Sequence, residues 1–303
     1  MRAETMGAIL PAYLGRQRGH LRPRSYIECE RHLLKNCKPL LGLPLAKIDR
    51  RTVAARISDI ANTRGAVSAN RARAALSAFF SWTMREGLLD SNPVIGTNRQ
   101  LEKSRSRVLS DDELKAILRA CGSDDFGTIV RLLMATGQRA DEIGALRWDE
   151  VFDDRIVLPP PRTKNNREHV VPLVPAVAIL IKNRPRRNDF VFGRRQDRPF
   201  RGWSQTKNAL DQRINATDHK LEPWVIHDLR RTMATRMAEF GTVPHIIEAV
   251  LNHVSGHKAG VAGVYNRASY EPQKRIALAR WAEHVEALVS GKRPAKVVKL
   301  HHA

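Results

Sequence analysis

The sequence has few cysteines and no long apolar run. Its 303 residues include only Cys29, Cys37 and Cys121, and no two of them form a Cys-x-x-Cys pair. This spacing argues against a disulfide framework or a zinc site and is typical of a protein in a reducing cytoplasm. No apolar stretch approaches the roughly 18 residues that a spanning helix needs, and no long apolar segment follows the N-terminus. We therefore expect neither a membrane protein nor a secreted one.

Acidic residues are scarce relative to basic ones. The chain has 52 Lys and Arg against 31 Asp and Glu, a formal net charge of +21. This excess predicts a polyanionic partner, most readily a nucleic acid, with an anionic membrane surface as the competing partner. Residues 1–107 carry a net charge of +12 and residues 108–303 carry +9. The smaller N-terminal part is therefore expected to grip phosphates.

Apolar periodicity and polar breaks divide the chain into two parts. Residues 1–100 have apolar residues at helical spacing and predict four or five short helices, one of them from Ser68 to about Gly87. Residues 101–107 are polar and charged, which is typical of an interdomain linker. Ser110 and Glu113 then match a capping box, which predicts that a new helix and a second domain begin there.

The second part combines helices with a short β-hairpin. Strands are predicted around Arg155–Leu158 and His169–Leu173, on either side of a turn at Lys164–Asn166. The predicted fold class is therefore mainly α with a small β-sheet (α+β). The second domain is expected at residues 108–288, and residues 289–303 form a basic tail that we expect to be mobile.

Six residues with phosphate chemistry occur in short motifs of this second part. They are Arg139, Lys164, His227, Arg230, His253 and Tyr265. A guanidinium binds phosphate oxygens in bidentate fashion, an imidazole donates a single hydrogen bond, and a phenol needs nearby positive charge or a base to become a nucleophile. Each residue alone has an ordinary interpretation, such as a solvated helix position or a helix cap. Together they predict one site that holds and attacks a phosphodiester.

The order and spacing of these motifs resemble those of the tyrosine recombinases, the phage integrase family. The motifs are Thr136-Gly-Gln-Arg139 with Glu142, Thr163-Lys-Asn165 followed by His169-Val-Val-Pro-Leu173, His227-Asp-Leu-Arg-Arg-Thr232, Leu251-Asn-His253 and Val264-Tyr-Asn-Arg267. Asn70-Arg71 and Asn92-Pro93 resemble, more weakly, the end of the family's core-binding domain. The resemblance implies a helical core-type DNA-binding domain at 1–100, followed by a tyrosine recombinase catalytic domain at 108–288.

The resemblance also implies a role for each residue. Tyr265 would attack the scissile phosphate and form a 3′-phosphotyrosyl link. Arg139 and Arg230 would stabilise charge on the non-bridging oxygens, and Lys164 would protonate the departing 5′-oxygen.

The remaining residues of the implied site assist this reaction. His227 would help to move the proton at the nucleophile, His253 would donate a hydrogen bond to the phosphate, and Glu142 would support Arg139. One phosphodiester is exchanged for another, and the sequence has neither a Gly-x-x-x-x-Gly-Lys-Ser/Thr loop nor a clear carboxylate constellation. No cofactor and no metal are therefore predicted.

DNA contacts outside the catalytic motifs are expected from basic and polar residues of the N-terminal part, namely Asn70, Arg71, Arg73 and Arg105. The resemblance implies double-stranded DNA as the partner and a homotetramer that pairs two DNA sites through a Holliday junction. Accessory DNA-bending or excision proteins are possible further partners. The predicted location is the cytoplasm, at the nucleoid.

The predicted function is site-specific recombination for integration or excision of a mobile element. Two alternatives are a type IB topoisomerase-like enzyme that relaxes DNA without pairing two sites, and a DNA-binding remnant that does not cut. Many prophage integrases of the resembled type have a further N-terminal domain, whereas the residues before Ser110 suffice only for a core-binding module. We therefore expect either a naturally short recombinase or one shortened at its N-terminus.

The last predicted helix, residues 271–288, is amphipathic and contains Ile276, Leu278 and Trp281. The resemblance implies that this helix docks on a neighbouring protomer. Packing against its own domain is the alternative.

Overall fold

The computed structural model describes residues 4–193, 198–217, 220–253 and 268–291. The chain divides into two compact units, Met1–Arg105 and Ser106–Ala303, and the division falls within the segment 101–107 that was predicted as a linker. Each unit has a hydrophobic core of its own. The structure is mainly helical with one two-stranded sheet, which confirms the predicted α+β class.

The first unit is helical throughout its described part. Its α-helices are α1 (Met6–His20), α2 (Pro23–Arg31), α3 (Arg50–Arg64) and α4 (Ala66–Arg85). A π-helical turn, His32–Asn36, continues α2. Helix α4 begins two residues before the expected Ser68, directly after Gly65, whose φ of +83° ends α3 in a conformation that favours glycine.

Aromatic packing joins the first and fourth helices of this unit. Tyr13 on α1 meets Phe79 on α4 edge to face, with ring centroids 5.4 Å apart, an arrangement that aromatic pairs favour. The chain after α4 is held by Asn92, whose Nδ2 donates to Ser81 Oγ at 2.9 Å while its Oδ1 accepts from Val94 N at 2.9 Å. The Asn92-Pro93 break therefore also fixes the path of the chain that leaves the helix.

The second unit contains the hairpin and the remaining helices. Its elements are α5 (Asp111–Ala120), α6 (Asp125–Thr136), α7 (Ala140–Gly144), β1 (Arg155–Leu158), β2 (His169–Pro172), α8 (Pro175–Lys182), α9 (Trp203–Asn215), α10 (Ile226–Glu239), α11 (Pro244–Val250) and α12 (Glu271–Ser290). Strands β1 and β2 are antiparallel, with Arg155 opposite Pro172 and Leu158 opposite His169. The helix that was expected at 259–267 lies outside the described residues, as do Tyr265 and residues 292–303 of the tail.

The predicted capping box is present at the start of α5. Glu113 N donates to Ser110 Oγ at 3.2 Å, and Ser110 N donates to Glu113 Oε2 at 2.9 Å. Two otherwise unpaired N–H groups at the helix start are thereby satisfied.

Helix α12 packs against its own unit through part of its apolar face, while docking on a neighbouring protomer stays a prediction. Trp281 is fully buried and its Nε1 donates to Met134 O at 2.7 Å. Lys274 is buried as well and its Nζ donates to Val170 O on β2. Ile276, by contrast, is 69% exposed. Neither α12 nor any other described helix is long and apolar enough to cross a bilayer.

Gly137 ends α6 in a left-handed conformation with φ of +64°. A Cβ at this position would lie 2.4 Å from Met233 Sδ and 3.0 Å from Leu251 Cδ2. A Cβ would therefore crowd the ends of the Met233 and Leu251 side chains, which would have to move. Glycine is favoured here twice, by the backbone conformation and by the close packing of α10 and the end of α11.

We expect Gly137→Ala to destabilise the protein more than Gly241→Ala. Both glycines have positive φ, +64° and +84°, but a Cβ at Gly241 meets nothing within 4 Å. Each alanine costs about 1–2 kcal/mol of backbone strain, and crowding adds about 1–3 kcal/mol at Gly137 alone. Urea unfolding of the two variants measures this difference. Equal free energies of unfolding would contradict the crowding argument.

Candidate active site

Arg139 follows the Gly137 turn and stands at the start of α7. Its Nη1 donates to Glu142 Oε1 at 2.8 Å, and its backbone N donates to Glu142 Oε2 at 3.2 Å. Its Nη2 donates to Asn252 O at 3.2 Å. Glu142 is buried, so its carboxylate is a fixed anchor for the half-buried guanidinium. This geometry is compatible with support of Arg139, the role that the resemblance implies for Glu142.

Arg230 lies on α10 and is buried. Its Nη1 donates to Gly137 O at 2.7 Å and its Nη2 donates to Leu251 O. Burial and the positive charge of Arg139 lower the pKa of Arg230 to about 10, against the opposing effect of Glu142. Arg230 therefore stays charged at neutral pH. The two arginines from separate motifs are thus neighbours, since the charge of Arg139 lowers the pKa of Arg230 and both side chains bind the turn at 251–252.

Lys164 lies in the loop between β1 and β2, and it is exposed. The base of this loop is tied by Thr163, whose Oγ1 donates to Arg167 O at 2.7 Å and accepts from Arg167 N at 3.0 Å. Next to Lys164, Asn165 Nδ2 donates to Asn252 Oδ1 at 2.7 Å. The hairpin loop that carries Lys164 therefore contacts the turn that carries His253.

The two predicted histidines flank the arginines. His227 lies one helical turn before Arg230 on α10, and it is exposed to solvent. Loss of water around the ring, followed by the charges of Arg231 and Arg230, lowers the pKa of His227, against the weaker opposing effect of Asp228. His253 directly follows the turn after α11; its backbone N donates to Glu248 O at 2.9 Å, and its side chain is exposed.

Five of the six predicted site residues are described, and hydrogen bonds or electrostatic coupling bring the segments that carry them together. The sixth, Tyr265, lies outside the described residues. In the described part of the chain, no three His, Cys, Asp or Glu residues are placed to hold a metal ion together.

Gln138 and His169, for which no role was predicted, form a buried polar pair near the two arginines. Gln138 Nε2 donates to Thr136 O at 2.8 Å and to Val250 O at 3.0 Å, so its Oε1 faces His169 Nε2 at 3.0 Å. Because an amide oxygen only accepts, His169 carries its proton on Nε2. Burial, with the charges of Lys274, Arg230 and Arg139, lowers the pKa of His169 to about 3. A histidine at the start of an otherwise apolar strand was the available signal.

The N-terminal candidates for DNA contacts are placed differently from one another. Asn70 is buried, and its Nδ2 donates to Gln100 O at 2.8 Å and to Glu102 Oε1 at 2.7 Å. Arg73 is half-buried, and its Nε donates to Thr97 Oγ1 at 2.9 Å. These contacts favour structural roles for both. Arg71 and Arg105 are exposed.

We expect His169 to make the stability of the protein depend on pH. Its folded pKa of about 3 is far below the ordinary 6.5. Its contribution is therefore complete above about pH 6.5 and is lost as the pH falls towards 3, because the unfolded chain takes up the proton first. In His169→Gln this loss is absent. The free energy of unfolding of wild type should fall relative to the variant by about 2 kcal/mol between pH 7.5 and pH 5. Parallel curves from chemical denaturation would argue against a neutral buried imidazole.

The sequence comparisons point to one family. The phage integrase family matches residues 107–271. The prophage integrases IntA and IntZ of Escherichia coli K12 are 29% and 30% identical to this chain, over 86% of it and 65% of each relative. The tyrosine recombinase XerD of Halalkalibacterium halodurans is 27% identical over 63% of this chain and 68% of that protein. The chain thus spans slightly less than two thirds of the length of the two prophage integrases.

Solved structures show the same fold. A lambda integrase tetramer bound to a Holliday junction superposes with a TM-score of 0.67 at 20% identity, over 83% of this chain and 78% of that one. The Tn1549 transposon integrase in complex with a circular intermediate DNA gives 0.66 at 15% identity, over 91% and 99%. The family match covers more than half of the chain and contains every described residue of the candidate site. This chain belongs to the phage integrase family, the tyrosine recombinases.

Proposed function

We propose that this chain is a site-specific DNA recombinase that cleaves and rejoins strands through a 3′-phosphotyrosyl intermediate, for the integration or excision of a mobile element. The observation that supports it best is the convergence of Arg139, Arg230 and the Lys164 hairpin on the turn at 251–253. Such a cluster supplies the positive charge that a phosphoryl transfer needs without requiring a metal ion. Double-stranded DNA is the proposed substrate.

The proposed reaction exchanges one phosphodiester for another. The Tyr265 oxygen forms a bond to phosphorus, and the bond from phosphorus to the 5′-oxygen breaks. Arg139 and Arg230 stabilise the charge on the non-bridging oxygens, and His253 donates a further hydrogen bond there. The Lys164 ammonium gives its proton to the departing 5′-oxygen and becomes a neutral amine. Ligation by the incoming 5′-hydroxyl reverses these steps and returns each proton.

His227 is the proposed acceptor of the phenol proton. Its lowered pKa means that the neutral ring, with a free nitrogen lone pair, predominates at neutral pH. In the proposed reaction, the positive charges of Arg231 and Arg230 would also favour a phenolate over a neutral phenol.

The surroundings of the other tyrosines support the choice of Tyr265. Tyr13 is buried in the first unit, and burial raises its pKa, which opposes phenolate formation. Tyr26 donates its hydroxyl hydrogen bond to Glu30 at 3.0 Å in the same unit. Tyr270 begins α12 with its ring 5.2 Å from the His245 ring. Neither Tyr13 nor Tyr26 shares the unit that contains the arginines.

By analogy with the lambda integrase assembly, the proposed working form is a tetramer that pairs two DNA sites. Accessory DNA-bending or excision proteins and action at the nucleoid belong to the same proposal.

The first test is covalent trapping. The substrate is a nicked duplex with the sequence that the wild-type chain enriches from a randomised DNA pool. We expect wild type to give a denaturant-resistant adduct and Tyr265→Phe to give none, because the nucleophilic oxygen is absent. Tyr270→Phe is the matched control and should retain the adduct. No adduct with wild type, or an adduct with Tyr265→Phe, would falsify the assignment. Recombinant product from a two-site plasmid separates recombination from relaxation alone.

The second test addresses the buried arginine. We expect Arg230→Lys to slow adduct formation by about 10²–10³-fold, because an ammonium cannot replace a guanidinium that holds two carbonyls and the phosphate. Arg231→Lys is the neighbouring control: its partner is Asp228, and lysine can keep that ion pair. The rate of adduct formation at saturating DNA is the measurement. Equal rates for the two variants would mean that Arg230 only stabilises the fold.

A further inference from the structure

A pair of asparagines joins two motifs of the site that lie 87 positions apart in the sequence. Asn165 Nδ2 donates to Asn252 Oδ1 at 2.7 Å and more weakly to Asn252 O at 3.3 Å. Asn252 Nδ2 donates in return to Asn165 Oδ1 at 3.3 Å. The two amides therefore face each other in a reciprocal pair, and both side chains are half-buried.

Each asparagine adjoins a residue with a proposed role. Asn165 directly follows Lys164 in the hairpin loop, and Asn252 directly precedes His253. Asn252 also has a φ of +47°, in the left-handed region that asparagine tolerates better than most residues. Its carbonyl oxygen accepts from Arg139 Nη2 at 3.2 Å. One residue thus contacts both the arginine anchor and the lysine loop.

The lysine loop needs such a contact for a physical reason. Lys164 is exposed, and its flexible side chain loses rotamer freedom whenever it is fixed against a substrate. Thr163 and Arg162 hold the base of the loop, through Arg167 and Glu150 respectively, but neither contact ties Lys164 to the turn after α11. A proton donor that is misplaced by about 1 Å can lose about 10²-fold in rate. A two-point amide contact fixes both the distance and the orientation of the loop.

We propose that the Asn165–Asn252 pair is a positioning device for the proposed proton donor. It holds the Lys164 loop in register with Arg139 and His253, so that the Lys164 ammonium meets the departing 5′-oxygen while the arginines hold the phosphate. The inference rests on the role proposed above for Lys164. Asn165 and Asn252 are positioning residues, because they act through Lys164 and need not touch the DNA.

The test uses two duplexes that differ in one atom. Both carry the enriched sequence, and the second has sulfur in place of the 5′-oxygen at the phosphate that wild type cleaves. With sulfur, the tyrosine oxygen still bonds to phosphorus, but the leaving group departs as a thiolate with the bonding electron pair. Since a thiol has a pKa of only about 8.5, this departure needs no proton donor. A defect that acts through Lys164 should therefore vanish on the sulfur duplex.

Two variants break the pair from opposite sides. Asn165→Asp removes the Nδ2 donor, and Asn252→Gly removes the side chain while it keeps the left-handed backbone accessible. We expect each to slow cleavage of the oxygen duplex by about 10- to 100-fold, and to cleave the sulfur duplex at close to the wild-type rate. The double variant should be no slower than the slower single variant, because a pair that is already broken cannot be lost twice.

The matched control lies one residue along the same loop. Asn166→Asp introduces the same charge change as Asn165→Asp, at a position with φ of +55° whose side chain is exposed. It should cleave the oxygen duplex at close to the wild-type rate. Lys164→Ala is the reference for complete loss of the proton donor. It should cleave the oxygen duplex about 10²–10⁴-fold more slowly than wild type and the sulfur duplex at close to the wild-type rate.

The outcomes separate this inference from the proposed function. Wild-type cleavage rates of Asn165→Asp and Asn252→Gly on the oxygen duplex would overturn the positioning role alone. The same holds if these variants are equally slow on both duplexes while the sulfur duplex restores Lys164→Ala. A Lys164→Ala variant that sulfur does not restore would overturn the inference together with the role of Lys164, while the adduct itself still stands. Absence of any adduct with wild type on either duplex would overturn the recombinase proposal.

Discussion

The structure of the site depends on how two neighbouring guanidinium groups are kept charged in a partly dry environment. Arg230 is buried beside Arg139, and in the part of the chain that the structure describes a single buried carboxylate, that of Glu142, bonds to the pair. The rest of the compensation comes from backbone carbonyls: Gly137 O at the end of α6, and Leu251 O and Asn252 O after α11. Helix C-termini present unpaired carbonyls with partial negative charge. Two helix ends therefore act as the counter-charge, which is why Gly137 must allow α6, α10 and the end of α11 to approach closely.

This constraint explains the neutrality of His169. Burial of the ring disfavours the protonated imidazole first, and its charge would also add to those of Lys274, Arg230 and Arg139. The Gln138 amide is suited to a neutral ring, because its oxygen accepts from Nε2 while its two N–H groups bind Thr136 O and Val250 O. The network ties the Gly137 turn to the end of α11 without changing the charge of the site. Neutral hydrogen bonds therefore hold the Gly137 turn and the end of α11 in one arrangement.

Local features of the fold could be predicted from the sequence, and contacts between distant segments could not. The capping box at Ser110 and the strands around Lys164 depend on residues within a few positions of one another, so spacing alone indicated them. The resemblance identified the motif residues but not what orients them. Asn165 and Asn252 are 87 positions apart, and no periodicity predicts that their amides meet. The same limit applies to α12. Its amphipathic pattern predicted a helix, but the pattern could not indicate whether Trp281 packs within its own unit or against another protomer.

The balance of charges also indicates what the site favours as a ligand. Among the described residues, one carboxylate, that of Glu142, bonds to Arg139 and Arg230, so the site holds two like charges close together at an energetic cost. A phosphodiester group brings one negative charge to this cluster and removes part of that repulsion. Charge that develops on the non-bridging oxygens during phosphoryl transfer removes more of it. In the proposed reaction, the cluster would therefore interact more strongly with the transition state than with the bound ground state, which is the condition for an interaction to accelerate a reaction rather than only to tighten binding.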